Sequence, residues 1–174
     1  MFQKGDLIFY GNSGVCRVEE IGPLEGARGA DRHRKYYKLA LLYGDGTIFA
    51  PVDTGVFMRP VLSQGEVNDL IDRLPELQAT EVTERSLTML SNTYHAHFET
   101  HRSEDLLQLM KNIHTKGEAS KLKGKRLGMV DQQYQKKAEE LIYGEFSAVL
   151  GIPYDGVEDY IAHLLQETEG AVET

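Results

Sequence analysis

Residues 47–60, TIFAPVDTGVFMRP, decide how the rest of the chain is read. Thr47, Ile48 and Phe49 form a β-branched and aromatic run that stops at Pro51. An acidic turn, Asp53-Thr54-Gly55, follows, and a second apolar stretch leaves through Met58-Arg59-Pro60. Proline has no N–H to give to a sheet ladder, so it is confined to strand ends, edges and bulges. A strand ending in Ala50-Pro51 therefore predicts an exposed sheet edge. Such edges are hazards unless they are covered or used, and one use is pairing with a partner's strand. The same residues also fit a plain strand terminator in a small barrel, and local features leave both readings open.

Upstream, Gly5-Asp6 leads into the apolar strand Leu7-Ile8-Phe9-Tyr10, and Gly11-Asn12-Ser13-Gly14 is a turn cluster. Residues 15–21 alternate imperfectly, with Val15, Arg17, Glu19 and Ile21 on one side and Cys16, Val18 and Glu20 on the other. Residues 22–34 read as a loop, residues 35–43 as a tyrosine-rich strand, and Gly44-Asp45-Gly46 as a hairpin turn. With strands at 47–50 and 56–58, five short strands fall in the first 60 residues, which predicts a small, curved barrel.

The pattern changes at Ser63. Ser63-Gln64-Gly65-Glu66 matches a capping box, and Val67, Leu70, Ile71 and Leu74 follow at helical spacing up to Pro75. Residues 83–102 read as a second helix through Leu87, Leu90, Tyr94 and Phe98. Ser103 reads as the cap of a third, with Glu104 and Asp105 suiting its dipole. Residues 117–128 read as a frayed, basic helix end and loop. Residues 129–150 form the longest helix, stopped by Gly151, and residues 156–165 a last amphipathic one. The class expected is α+β: a β-barrel domain over 1–62, a helical bundle domain over 63–168, and a loose acidic tail over 169–174.

The chain of 174 residues is 41% hydrophobic and 26% charged, values of a globular rather than a disordered protein. No apolar run approaches the ~18 residues of a membrane span, and no signal peptide is visible. The single cysteine, Cys16, cannot form an internal disulfide and is expected to pack as a small hydrophobe, which fits a reducing, cytoplasmic location. Net charge is −8, but residues 111–137 carry +6, leaving −14 on the remainder. Such asymmetry marks a local phosphate or anion contact on an acidic body.

Catalytic constellations are scarce. His97 and His101 have the i, i+4 spacing of zinc ligands, yet Phe98 stands where a zinc protease needs glutamate. His97-Phe98-Glu99 lacks the Pro-Cys-x-x-Cys of zinc deaminases. Gly22-Pro23-Leu24-Glu25-Gly26 lacks a terminal Gly-Lys-Ser/Thr, and Glu25 and Asp53 read as solvated loop acids. The expectation is a non-enzymatic protein without cofactor, metal or small-molecule substrate. Tyr94 and Phe98, four apart, fit either a helix core or an exposed aromatic pressed into a nucleic-acid groove.

The order Phe2-x-x-Gly5-Asp6-x-Ile8-x-Tyr10, Gly14-Val15, Tyr36-Tyr37-x-Leu39, Pro51-Val52-Asp53 and Met58-Arg59-Pro60 resembles the opening domain of the bacterial CarD/CdnL family, itself similar to the polymerase-interacting domain of transcription-repair coupling factors. The second half resembles the family's helical domain more loosely, through Ala138, Leu141 and Gly144-Glu145. The resemblance implies a transcription regulator with a Tudor-like barrel that docks on the RNA polymerase β subunit by a strand edge. It also implies a helical domain on upstream promoter DNA that alters open-complex lifetime. On that basis Ile48, Phe49, Ala50, Pro51 and Leu39 are expected to face polymerase. Tyr94, His97, Lys121, Lys123, Lys125 and Arg126 are expected to face DNA. The family's Trp-x-Arg-Arg-Tyr/Phe motif falls on Tyr94-His95-Ala96-His97-Phe98, so a tyrosine stands in the wedge position and the arginines are absent. Likewise Leu127-Gly128-Met129-Val130-Asp131 departs from Leu-Ser-x-x-Glu. These departures keep a second reading open, a polymerase-binding interaction module with little DNA contact.

Overall fold

The computed structural model describes residues 1–24 and 33–172, with side chains described up to residue 164. Most of the loop read over residues 22–34, Glu25 included, and the last residues of the acidic tail lie outside the described residues. The chain divides into two compact units, Met1–Leu62 and Ser63–Thr174.

The first unit is one antiparallel sheet of β1 (Leu7–Tyr10), β2 (Gly14–Gly22), β3 (Tyr36–Leu41), β4 (Thr47–Pro51) and β5 (Met58–Pro60). Their order is β4-β3-β2-β1-β5, so β4 and β5 are its ends and the ladder is open rather than closed into a ring. Ile8, Cys16, Val18, Tyr37, Leu39 and Ala50 form the core. The register places Val18 opposite Leu39 and Leu39 opposite Ile48, which gathers these apolar side chains on one face. The imperfect alternation of β2 has a local cause, a register shift between Val18 and Glu20. Gly14, at φ 90°, takes a backbone conformation that side chains disfavour and lets β1 fold straight back into β2.

The last strand lies two residues later than the expected 56–58. The Val56 N–H donates to Thr54 Oγ1 (3.2 Å), and the Gly11 N–H donates to the Phe57 carbonyl (2.8 Å). Residues 54–57 are thereby used in a turn, and pairing with β1 begins at Met58 opposite Tyr10. Cys16 is buried, and that burial pushes its thiol up to about 11. Its contribution to stability is complete below the ordinary value of 9.0 and is lost as pH rises toward 11, because the unfolded chain releases the proton first. Iodoacetamide at neutral pH is therefore expected to leave native Cys16 unmodified and to alkylate it fully in concentrated urea, read by mass spectrometry.

The second unit begins with α1 (Gln64–Arg73). Its capping box is complete: the Glu66 N–H donates to Ser63 Oγ (3.1 Å) and the Ser63 N–H to Glu66 Oε1 (3.2 Å). Val67 and Ile71 are its buried stripe. The second helix, α2 (Leu87–Glu99), starts four residues later than the spacing predicts, because Ser86 caps it and the preceding chain is drawn elsewhere. The Thr80 N–H donates to Oδ1 of buried Asn112 (2.7 Å), and Glu84 accepts from Thr93 Oγ1 (3.0 Å).

Further helix boundaries differ from the sequence reading. In α3 (Ser103–Leu122) the cap position is Arg102, and Ser103 instead donates its hydroxyl to buried Glu145 Oε1 (2.6 Å). The helix also runs through Gly117 instead of fraying there. A side chain at Gly117 would approach Leu127 Cδ1 to 3.2 Å, so its place is taken by Leu127. The long helix α4 (Met129–Leu150) ends at Gly151, whose φ of 69° closes the last turn onto the Ser147 carbonyl (2.9 Å). A single 3₁₀ turn precedes α5 (Val157–Val172), which extends through residues 166–169 and into the span read as tail.

Candidate functional site

In the first unit the accessible feature is β4. Among the described residues its one ladder is to β3, and no strand lies beside its other edge. Phe49 is 50% exposed, Ile48 and Pro51 are partly exposed, and Ala50 is buried. Phe49 lies opposite Lys38, and with Glu20, Ile21 and Tyr36 the pair lines a shallow groove beside the edge. The exit of β4 is held by the Val52 N–H donating to the Lys35 carbonyl (3.1 Å) and by Arg34 donating to Asp53 Oδ1 (3.0 Å). The hydrogen bond from Arg34, more than its charge, holds the Asp53 carboxyl below the ordinary carboxylate range. Both side chains are solvated, so the pair orients the turn more than it stabilises it. Leu39 does not belong to this surface. It is fully buried, on a strand hydrogen-bonded on both sides, so neither its side chain nor its backbone is available to a partner.

In the second unit the residues expected to face DNA separate into two groups. Tyr94 is 1% exposed. Its hydroxyl donates to Asp131 Oδ1 (2.6 Å), the same oxygen accepts from Lys116 Nζ (2.9 Å), and Oδ2 accepts from the Gly128 N–H (3.2 Å). One buried carboxylate thus ties α2, α3 and the start of α4 together. Desolvation, and then the bond to Asp131, push the Tyr94 hydroxyl well above its ordinary value. The Tyr134 ring packs against both Tyr94 (5.5 Å between centroids) and Phe98 (5.8 Å), so the aromatic pair is core. A wedge at Tyr94 is incompatible with this packing: the ring is enclosed and its polar atom is committed.

His97 is half-buried with Nδ1 3.1 Å from the Thr93 carbonyl of its own helix. His101 lies beyond the end of α2 at φ 56°, so the two histidines do not share a helix face. Among the described residues no group of three or more His, Cys, Asp or Glu is placed to hold a metal ion. Lys121, Lys123, Lys125 and Arg126 behave differently. All four are exposed, at the end of α3 and in the turn before α4. The sequence reading missed their neighbours Leu122 and Met129, which are 91% and 77% exposed. The available signal was two large apolar residues in a basic, glycine-punctuated run.

A sheet with an aromatic-bearing edge strand, in a chain that also carries a concentrated basic turn, has the features of a protein suited to macromolecular contacts. Residues 2–62 match the family model for the CarD-like/TRCF RID domain. This stretch, about a third of the chain, is similar to the RNA-polymerase-interacting domain of CarD-like proteins, which suggests a transcription-related, polymerase-binding role. The match covers all five strands of the sheet unit and ends with it at Leu62. No curated protein matches the chain. No helix among the described residues is long and apolar enough to cross a membrane.

Proposed function

We propose that the protein is a non-enzymatic transcription regulator of the bacterial cytoplasm. Its sheet unit, a curved Tudor-like module, docks on the β subunit of RNA polymerase through the free edge of β4. Its helical unit contacts upstream promoter DNA and modulates open-complex stability. The observation that carries this reading is the bare edge of β4 with Phe49 half-exposed on it, inside the segment that matches a polymerase-interacting domain. Main-chain hydrogen bonds would supply the pairing, and Phe49 with its groove the selectivity.

The test is capture of the polymerase β lobe. Phe49→Asp is expected to weaken binding by about 30-fold or more, the size of an aromatic hot spot. Phe49 is half-exposed, so the variant should melt like wild type. Undiminished capture would refute edge docking. The interaction-module reading keeps one observation in its favour, the burial of Tyr94. Polymerase binding that persists with no footprint upstream of the promoter at physiological salt would select it.

A further inference from the structure

Inside the helical unit, a crevice of about 300 Å³ lies between α3 and the segment 79–82, which is neither helix nor strand. Its floor is residues 112, 115, 116, 119, 120 and 123 of α3 and its C-cap, spaced so that they share one helix face. Ala79, Val82 and Ala119 supply its apolar part. The volume is at the small end of the range for ligand sites, about 300–1,000 Å³, which suits a metabolite rather than a peptide.

One polar group in this lining is unused. Asn112 is only 6% exposed. Its Oδ1 accepts from the Thr80 N–H (2.7 Å) and from Gln108 Nε2 (2.7 Å). A backbone N–H can only donate, so the amide cannot be turned round, and its NH₂ group is left on the side away from Thr80. Among the described residues that NH₂ group donates to nothing. A buried donor is costly to leave unsatisfied, so this one calls for an acceptor brought in from outside.

The charges narrow the ligand further. Lys116 gives one N–H to Asp131 (2.9 Å), which meets its charge and leaves two N–H groups to offer. Glu81 and Lys123 are exposed, and among the described residues neither side chain has an ion-pair or hydrogen-bond partner. The uncommitted charges of the crevice are therefore one negative and one positive. A dianion such as phosphate would find no net attraction there, whereas a zwitterion brings one charge of each sign.

We infer that the crevice is a binding site for a small zwitterion of the α-amino-acid class. The carboxylate accepts from the Asn112 NH₂ group and from the spare N–H groups of Lys116. The ammonium donates to Glu81, the neighbour of Thr80, and the aliphatic part covers Ala119. Lys123 stands about 16 Å along α3 from Asn112 and balances Glu81. This inference is independent of the polymerase and DNA readings above. Occupancy ties the segment 79–82 to α3 and stabilises the helical unit by mass action.

The experiment uses the full ¹⁵N-labelled chain and the L-amino acids one at a time, with acetate and inorganic phosphate as anions that lack an ammonium. At least one amino acid is expected to shift the side-chain amide pair of Asn112 and to raise the melting temperature, with acetate and phosphate doing neither. Ala119→Leu fills the floor of the crevice and is expected to abolish the shift. Ala119 is exposed and leucine is a good helix former, so this variant should melt like ligand-free wild type. Glu81→Gln is expected to weaken the binding about fivefold. No shift with any amino acid overturns the site. A shift produced equally by acetate or phosphate overturns the zwitterion. A shift that survives Ala119→Leu overturns the location.

Discussion

Asp131→Ala is expected to destabilise the helical unit by about 3–5 kcal/mol, the cost of breaking a buried charge network by removing one partner. The carboxylate is almost wholly enclosed and accepts three hydrogen bonds, from Tyr94, Lys116 and the Gly128 N–H. Its loss leaves the half-buried Lys116 ammonium facing a cavity, leaves the Tyr94 hydroxyl without its partner, and uncaps α4. Tyr94→Phe is the informative contrast. It removes one donor, while Lys116 and Gly128 still satisfy the carboxylate, so a loss of only about 1–2 kcal/mol is expected. Urea unfolding followed by helical circular dichroism measures both. Equal effects would mean that the carboxylate is not the hub the geometry makes it.

Leu39→Ala is expected to cost the sheet unit about 2–5 kcal/mol through lost burial and an unfilled cavity. Leu39 is 0% exposed, lies between Val18 on β2 and Ile48 on β4, and is held there by ladders on both sides. Polymerase capture by this variant should fall only as far as its folded fraction falls, whereas Phe49→Asp lowers capture with the fold intact. Amide hydrogen exchange across β2 to β4 separates the two: protection drops for Leu39→Ala and is retained for Phe49→Asp. A Leu39→Ala protein that melts normally yet fails to bind would return Leu39 to the docking surface.

The features that sequence made legible are those with local causes. The Ser63–Glu66 capping box, the Gly151 stop and the Gly14 turn each depend on a few adjacent residues, and each appears where expected. What escaped is set by distant partners. Ser103 has the chemistry of a cap, but buried Glu145 takes its hydroxyl. Tyr94 has the spacing of either a core residue or a surface aromatic, and only the approach of Asp131 and Tyr134 decides it. The strand expected at 56–58 is displaced because Thr54 and Gly11 claim its backbone groups. The candidate site divides the same way. An edge strand is legible from Pro51, whereas which of its side chains face outward depends on the β3 register, and that register puts Phe49 out and Ala50 in.

The shortness of β4 bears on how long a complex lasts. The strand has five residues, the last is a proline without an N–H, and a turn through Gly46 precedes the first. Alternate residues face β3, so a partner's strand can reach roughly three residues' worth of outward groups, each bond giving about 0.5–1.5 kcal/mol net. A ladder that small does not hold a complex for minutes unless side chains dominate, and Phe49 is the large apolar one this strand offers. On the proposed edge docking, the protein is therefore expected to exchange quickly between polymerases, with a residence time set by what packs on a single aromatic ring.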